Sequence, residues 1–170
     1  RLFDLWYEYG AEKLNIRDFD SLVTHYVMGK HTICTYSKKC AGFVVVEHTG
    51  DVFCCEFFIE PQCRLGNILQ TPLAKLAADN KKRTFARAKE KLADKCLVCS
   101  HLAICRGGCM KDRVRWNDGD LTRESYFCES YKQFFDYAVP RFMQIAAAIQ
   151  DGSLKRHTRS AAGIRLHIEK

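Results

Sequence analysis

The spacing of hydrophobic residues predicts a chain in which helical segments enclose a short stretch of β-structure. Residues 17–28 carry apolar side chains every three or four positions, as on one face of an α-helix, and Gly29 follows where the helix can end. Residues 43–57 contain two runs of β-branched and aromatic residues separated by turn-forming residues, which predicts a β-hairpin. We interpret residues 1–10 as the end of a helix.

After the hairpin, turn and capping signals alternate with helix formers. Residues 66–67 (Gly-Asn) favour another turn, and the Thr-Pro pair that opens residues 71–78 predicts the start of a helix. Residues 80–93 are basic and rich in strong helix formers, so we expect a second helix there. Residues 96–109 are apolar but lack any helical or strand periodicity. This segment therefore needs an organiser from outside its own sequence.

The C-terminal third predicts one long helix. Residues 124–149 have a helical pattern, and Pro140 lies inside it, where a kink or break is expected. Aromatic residues at helical spacing within it are most simply core: Phe134, Phe135, Tyr137 and Phe142. Residues 151–170 are charged and have no evident core face.

Composition indicates a folded protein of ordinary size. The chain has 170 residues, 47% of them hydrophobic, and a formal charge of +7, which suits one domain and argues against wholesale disorder. No apolar stretch approaches the roughly 18 residues of a membrane span, so no membrane partner is expected. The N-terminus lacks both a secretory signal and an initiator Met, which predicts a fragment of a longer protein. The basic residues of 81–95 are expected to form solvated faces, and nucleic acid is not the expected partner.

Ten cysteines are the most informative feature of the composition. The absence of a secretory signal points to a reducing compartment, the cytoplasm, where clustered cysteines more often bind metal than form disulfides. From Cys96 to Cys109 the spacing is Cys-x2-Cys-x5-Cys-x3-Cys, and thiolates this close in sequence can reach one metal centre. Gly107 and Gly108 would let the backbone approach a bulky inorganic cluster.

Counting suggests which cysteines are ligands. Cys54 and Cys55 are neighbours in the predicted strand, so only one of their side chains can point at a given site. Setting Cys54 and Cys63 aside as buried thiols leaves eight cysteines, enough for two four-thiolate iron–sulfur sites. Structural zinc is an alternative, and disulfides are a third interpretation. The closed four-cysteine zinc site would use Cys96, Cys99, Cys105 and Cys109.

The cysteine pattern resembles the SPASM domain, which forms the C-terminal part of several radical S-adenosylmethionine enzymes. The sequence around residues 50–58 and 65–68 is most similar to the anaerobic sulfatase-maturating enzymes, and the resemblance covers roughly residues 30–145. The matching pattern is Cys40-x9-Gly50-x4-Cys55, then Cys96-x2-Cys99-x5-Cys105-x3-Cys109, then Cys128.

The resemblance implies two auxiliary [4Fe–4S] clusters in this chain. In the family, a separate domain with a third [4Fe–4S] cluster on a CxxxCxxC motif cleaves S-adenosylmethionine, and the radical takes a hydrogen from a cysteine or serine of a sulfatase. Oxidation yields formylglycine, with the auxiliary clusters accepting or relaying the electron. The implied partners are the sulfatase polypeptide and a reductant protein. The first cluster would be held by Cys34, Cys40, Cys55 and Cys109, and the second by Cys96, Cys99, Cys105 and Cys128.

Together, pattern and resemblance predict an α+β fold in which a small β-hairpin, helices and long cysteine-rich loops are organised around two metal clusters. We expect residues 1–29 to be the end of a preceding region or a linker helix, residues 30–149 the SPASM-type domain, and residues 150–170 a charged tail. Zinc is an expected substitute for iron in a protein prepared in air, because iron–sulfur clusters are sensitive to oxygen.

Two departures from the family pattern affect the expected activity. CxxxCxxC is absent from this sequence, so the chain alone is predicted to be inactive. The maturases usually place Asp after the third ligand of the first cluster, as the proposed base, whereas this chain has Glu56, whose extra methylene displaces the carboxylate. Besides the auxiliary-cluster domain, two function classes stay open. One is a zinc-stabilised module that binds nucleic acid or protein, and the other is a domain whose clusters are structural and which grips a peptide.

Overall fold

A computed structural model describes residues 1–40, 42–114 and 119–154. The predicted charged tail of residues 150–170 lies outside the described residues from residue 155 onward. The helices of the described residues are α1 (Leu2–Tyr9), α2 (Arg17–Met28), α3 (Leu73–Ala77), α4 (Asn80–Ala88), α5 (Asp94–Leu97), α6 (Leu102–Cys105), α7 (Met110–Val114) and α8 (Cys128–Gln150). The strands are β1 (Val45–Val46), β2 (Asp51–Phe53) and β3 (Arg64–Asn67), and a 3₁₀ turn at Pro61–Cys63 precedes β3. These elements make the fold α+β, as predicted.

The chain divides into two compact units, the first comprising Arg1–Ile33 and the described residues from Glu129 onward. Its core is aromatic: the Phe142 ring lies 5.0 Å from Phe3 and 6.0 Å from Trp6 between ring centroids, and all three side chains are buried. Helix α2 matches its prediction and ends at Gly29, which has a left-handed φ of 69°. The aromatic periodicity of α8 correctly marks Phe142 as core, although Tyr137 is half exposed.

Helix α8 differs from its prediction in two respects. It begins at Cys128 and not near residue 124, and it runs through Pro140 as one helix to Gln150. A proline inside a helix removes one backbone hydrogen bond without having to end the helix when packing fixes both halves. Here Ala138 and Phe142 are fully buried on either side of Pro140. In the described residues no helix is long and apolar enough to cross a membrane.

The second unit, Cys34–Cys128, is built on a three-stranded antiparallel sheet in the order β1-β2-β3. The predicted hairpin is present with shorter strands, and Val46 pairs with Val52 across it. The turn predicted at residues 66–67 is wrong, because these residues are the end of β3, where Gly66 pairs with Val52. The Arg64 guanidinium and the Asn67 amide both donate to the Asp51 carboxylate, at 2.6 and 3.0 Å, and so tie β3 to β2.

The remaining helices of this unit are short. Helix α3 begins at Leu73, and Pro72 of the predicted Thr-Pro start occupies its N-cap position. Helix α4 is capped by Asp79, whose carboxylate accepts from the Lys81 N–H at 2.6 Å, but it ends at Ala88 and not at residue 93. The segment predicted to lack periodicity contains two single-turn helices, α5 and α6. Elements this short are marginal by themselves, so their geometry depends on the contacts around them.

Candidate metal centres

Four of the predicted ligands line one open cavity. They come from distant parts of the sequence, and the cavity is bounded on other sides by Cys54 and Lys82. Burial raises the pKa of the Cys40 thiol, and the thiolates of the other three ligands lie close enough to raise it further. The structure therefore brings together the predicted first set: Cys34, Cys40, Cys55 and Cys109.

Each of these cysteines is positioned by a different part of the unit. Cys55 lies two residues beyond the end of β2, and Cys109 directly precedes α7. The Cys40 N–H donates to the carbonyl of Ala86 at 3.2 Å, which joins the loop before the sheet to α4. The Cys34 carbonyl accepts from the Lys89 ammonium. Helices, the sheet and the connecting loops thus each position one part of the wall of this cavity.

The prediction that Cys54 and Cys55 are neighbours in a strand, with side chains on opposite faces, is wrong. Strand β2 ends at Phe53, so the alternation of side chains does not extend to these two cysteines. Both line the cavity, and both are buried. The Cys54 backbone is also tied to the 3₁₀ turn before β3, because its N–H donates to the carbonyl of Cys63 at 3.0 Å.

The predicted second set lies in the same unit. Cys96 is in α5, Cys105 is the last residue of α6 and Cys128 is the first residue of α8. Burial raises the pKa of the Cys105 thiol, and the nearby Cys96 and Cys128 thiolates add to the increase. Burial likewise raises the pKa of Cys96, with a further contribution from the Cys99 thiolate. These effects link Cys96 to Cys99 and to Cys105, and Cys105 to Cys128.

Neither set has the geometry of a single-ion site. Within residues 1–40, 42–114 and 119–154, no three Cys, His, Asp or Glu side chains are close enough to hold one metal ion. In a [4Fe–4S] cluster each thiolate binds a different iron, so the four sulfurs need not surround one ion. Zinc with bonds of about 2.3 Å would require its sulfurs to approach to within about 4 Å of each other.

Burial disfavours the thiolate form of three cysteines of the first set when no metal is bound. Desolvation raises the pKa of Cys40 to about 11, against the opposing effect of the Lys89 ammonium. Burial also raises the pKa values of Cys55 and Cys109. A metal centre must displace these protons, so binding releases protons and becomes weaker as the pH falls.

Two basic residues that were expected on a solvated face are buried instead. Lys82 is 5% exposed, and its ammonium donates to the carbonyls of Cys40 and Cys54 at 3.1 and 2.7 Å. Lys89 is fully buried and donates to the carbonyls of Cys34 and Thr35. Sequence analysis missed both residues as site residues.

Arg113 is a third buried cation, and its hydrogen bonds hold the backbone of the loop between the two sets of cysteines. It is 1% exposed and donates to the carbonyls of Arg106 and Gly107 at 3.0 and 2.9 Å, and to the carbonyls of Lys89 and Lys91. Gly107 has a φ of 75°, and a Cβ there would collide with the Arg113 guanidinium. The glycine is therefore required by the arginine beside it.

Glu56, the predicted base, is exposed and directly follows Cys55. Its carboxylate is thus next in sequence to a thiol of the cavity and open to a molecule from solvent. Gly50 of the predicted pattern has a φ of 84° at the hairpin turn, and a Cβ there would lie 2.9 Å from Asn67 Oδ1. A side chain at this position would strain the turn that leads into β2.

Comparison with known proteins identifies the same region. Residues 27–100 match the family model of SPASM, an iron–sulfur cluster-binding domain. The chain is 37% identical over 151 residues to a cysteine-type anaerobic sulfatase-maturating enzyme of Clostridium perfringens strain 13, covering 88% of this chain and 40% of that protein. It is 32% identical over 169 residues to a serine-type enzyme of Bacteroides thetaiotaomicron, covering 91% of this chain and 41% of that protein.

Solved structures give the same relationship. Native anSMEcpe with bound AdoMet and Cp18Cys peptide superposes with a TM-score of 0.77 at 35% identity, covering 87% of this chain and 41% of that one. Hexahistidine-tagged anSMEcpe with bound AdoMet gives a TM-score of 0.75, covering 86% and 39%. The chain spans about two fifths of the length of these relatives. Residues 27–100 therefore form a SPASM iron–sulfur cluster-binding domain, and the chain as a whole is a relative of the anaerobic sulfatase-maturating enzymes.

Proposed function

We propose that this chain is the auxiliary-cluster region of a radical S-adenosylmethionine enzyme that oxidises a cysteine or serine of a sulfatase to formylglycine. The observation that carries the proposal is the cavity lined by Cys34, Cys40, Cys55 and Cys109, four thiols separated by as many as 75 residues of sequence. The second set completes two tetrads. When bound, the two [4Fe–4S] clusters would supply a site that accepts or relays one electron.

The protein's own residues supply the surroundings for that chemistry. The carboxylate of Glu56 is exposed beside the first tetrad and is proposed to take the proton of the substrate thiol or hydroxyl. The peptide bound by anSMEcpe supports a sulfatase polypeptide as the substrate. The S-adenosylmethionine site and the third [4Fe–4S] cluster belong, in this proposal, to a CxxxCxxC region outside the sequence. A reductant protein and a cytoplasmic location complete the proposal.

The interleaving of the two tetrads argues against the closed zinc site of four consecutive cysteines. A closed zinc site would use the consecutive Cys96, Cys99, Cys105 and Cys109. Cys109 instead lines the cavity with Cys34, Cys40 and Cys55, whereas the Cys105 thiol interacts with Cys96 and Cys128. The neighbours Cys105 and Cys109 thus face different partners, as two cluster sites require.

Anaerobic reconstitution of the chain tests the proposal. We expect about eight irons and eight sulfides per chain, and about four of each after Cys109→Ser. Cys63→Ser is the matched control, since Cys63 is a buried thiol outside both tetrads, and it should keep full iron. One or two zinc ions in place of iron, under the same anaerobic conditions, would refute the proposal in favour of the zinc module.

Glu56 is tested in the protein that also carries the radical domain. Glu56→Gln removes the base and should lower turnover by roughly 10²–10⁴-fold with unchanged iron content. Glu56→Asp restores the carboxylate at the position usual in the family and should retain most activity. Equal turnover of Glu56→Gln and the unmodified enzyme would remove Glu56 from the mechanism.

A further inference from the structure

Three cations are buried beside the two tetrads without an acidic partner. Lys82, Lys89 and Arg113 are 5%, 0% and 1% exposed. Their hydrogen bonds go only to backbone carbonyls, and within the described part of the chain none of them forms a salt bridge with a carboxylate. Three positive charges are thus held inside a small unit by backbone carbonyls and, for Lys82, by the Phe85 ring 5.6 Å from its ammonium.

A buried charge without a counter-charge is strongly disfavoured. Carbonyl dipoles replace part of the lost hydration, but an effective penalty of several kcal/mol per ion persists in proteins. A cluster with four thiolate ligands carries net negative charge and gains one more with each electron. Clusters bound at the tetrads would therefore supply the counter-charge that the buried cations otherwise lack.

The hydrogen bonds divide the cations between the two tetrads. Lys89 holds the backbone of Cys34 and Thr35 at the first tetrad. Arg113 holds the carbonyls of Arg106 and Gly107, which lie in the loop that joins Cys105 of the second tetrad to Cys109 of the first. Lys89 thus contacts the backbone at the first tetrad only, whereas Arg113 contacts the backbone that connects the two tetrads.

We propose that two of these buried cations set the reduction potentials of the two clusters, Lys89 acting on the first cluster alone and Arg113 acting on both. This inference rests on the proposed presence of the clusters. A fixed positive charge in a low-dielectric interior favours the more negative, reduced state of a nearby cluster. Removing the charge therefore makes that cluster harder to reduce. Lys89 and Arg113 are positioning residues and touch no substrate in this account.

The test is a redox titration of the anaerobically reconstituted chain, followed by electron paramagnetic resonance, with iron counted first. Lys89→Gln keeps a hydrogen-bond donor but loses the charge. It should lower the equilibrium constant for one-electron reduction of the first cluster at least tenfold, which is about 59 mV, and leave the second within about threefold. Arg113→Gln should lower both. Cys34→Ser and Cys99→Ser, each of which removes one cluster, assign the two signals.

Charge-keeping and exposed variants are the controls. Lys89→Arg and Arg113→Lys should keep both potentials within about threefold of the unmodified chain. Lys38→Gln removes a charge that is 69% exposed and only four residues from Cys34, and it should change neither potential because water screens it.

The outcomes separate the two proposals. If the unmodified chain takes up zinc and no iron, the cluster proposal fails before any potential is measured. If the Gln variants hold full iron with unchanged potentials, the clusters stand and this inference is overturned. If the Gln variants do not load iron, the iron content of Lys89→Arg and Arg113→Lys decides between charge and packing. Full loading of these variants supports a role for the charge. Loss of iron in these variants too assigns the residues to packing and overturns the inference.

Discussion

Gly107→Ala tests how closely the loop between the tetrads is fitted to Arg113. A residue with a Cβ is strained at a φ of 75° by about 1–2 kcal/mol. The added Cβ would also collide with the Arg113 guanidinium and lie 2.8 Å from Leu92 Cδ2. Overpacking of this kind costs about 1–3 kcal/mol. The free energy of unfolding should therefore fall by about 2–5 kcal/mol.

Gly119→Ala separates the two contributions. Gly119 has a φ of 84°, and no atom of the described residues lies within 4 Å of the position its Cβ would take, so the backbone strain of about 1–2 kcal/mol is the cost that applies. Anaerobic urea denaturation of both variants with full iron gives the comparison. If Gly107→Ala destabilises the chain no more than Gly119→Ala, the close fit between the loop and Arg113 is refuted.

Three further predictions follow from other parts of the structure. Phe142→Ala should lower the free energy of unfolding by about 3–5 kcal/mol in urea denaturation, because the Phe142 ring is 0% exposed. The control is Met143→Ala, at an adjacent side chain that is 55% exposed, and it should change this free energy by no more than about 0.5 kcal/mol. Equal effects of the two substitutions would refute the aromatic core. The hydroxyl of Tyr137 donates to the Asp4 carboxylate, which raises the pKa of Tyr137, so the bond stabilises the fold below pH 10.0 and is lost as the pH rises through the higher folded-state value. An NMR titration of the tyrosine ring carbons should find this raised pKa lowered by Asp4→Asn, and an unchanged value would contradict the bond. Removal of metal should abolish hydrogen-exchange protection in residues 95–109 before the aromatic core opens, and protection that persists there without metal would contradict a metal-organised loop.

Periodicity predicted those elements whose packing is local. Helix α2 matched its bounds because its apolar repeat and Gly29 both act within one helix. Strand β3 was missed because its Gly-Asn pair is typical of turns, and only pairing with β2 makes residues 66–67 extended. The helix over 80–93 was overextended because strong helix formers continue past Ala88, where the buried ammonium of Lys89 is held by carbonyls from another part of the chain.

The candidate metal ligands could be named before the structure was known, but their electrostatic surroundings could not. Cysteine spacing indicates metal binding, and the resemblance to the SPASM domain implied how the eight cysteines divide into two tetrads. Lys82, Ala86 and Lys89 are spaced for one helix face, but Lys81 and Arg83 in the same run give no sign of which face is buried. Only the fold distinguishes a lysine in solvent from one directed at buried carbonyls.

Iron-edge anomalous diffraction from crystals of the anaerobically reconstituted chain tests the central claim most directly. The account predicts two separate iron centres, one bonded to Cys34, Cys40, Cys55 and Cys109 and the other to Cys96, Cys99, Cys105 and Cys128. A single centre bonded to Cys96, Cys99, Cys105 and Cys109, with scattering at the zinc edge, would contradict it.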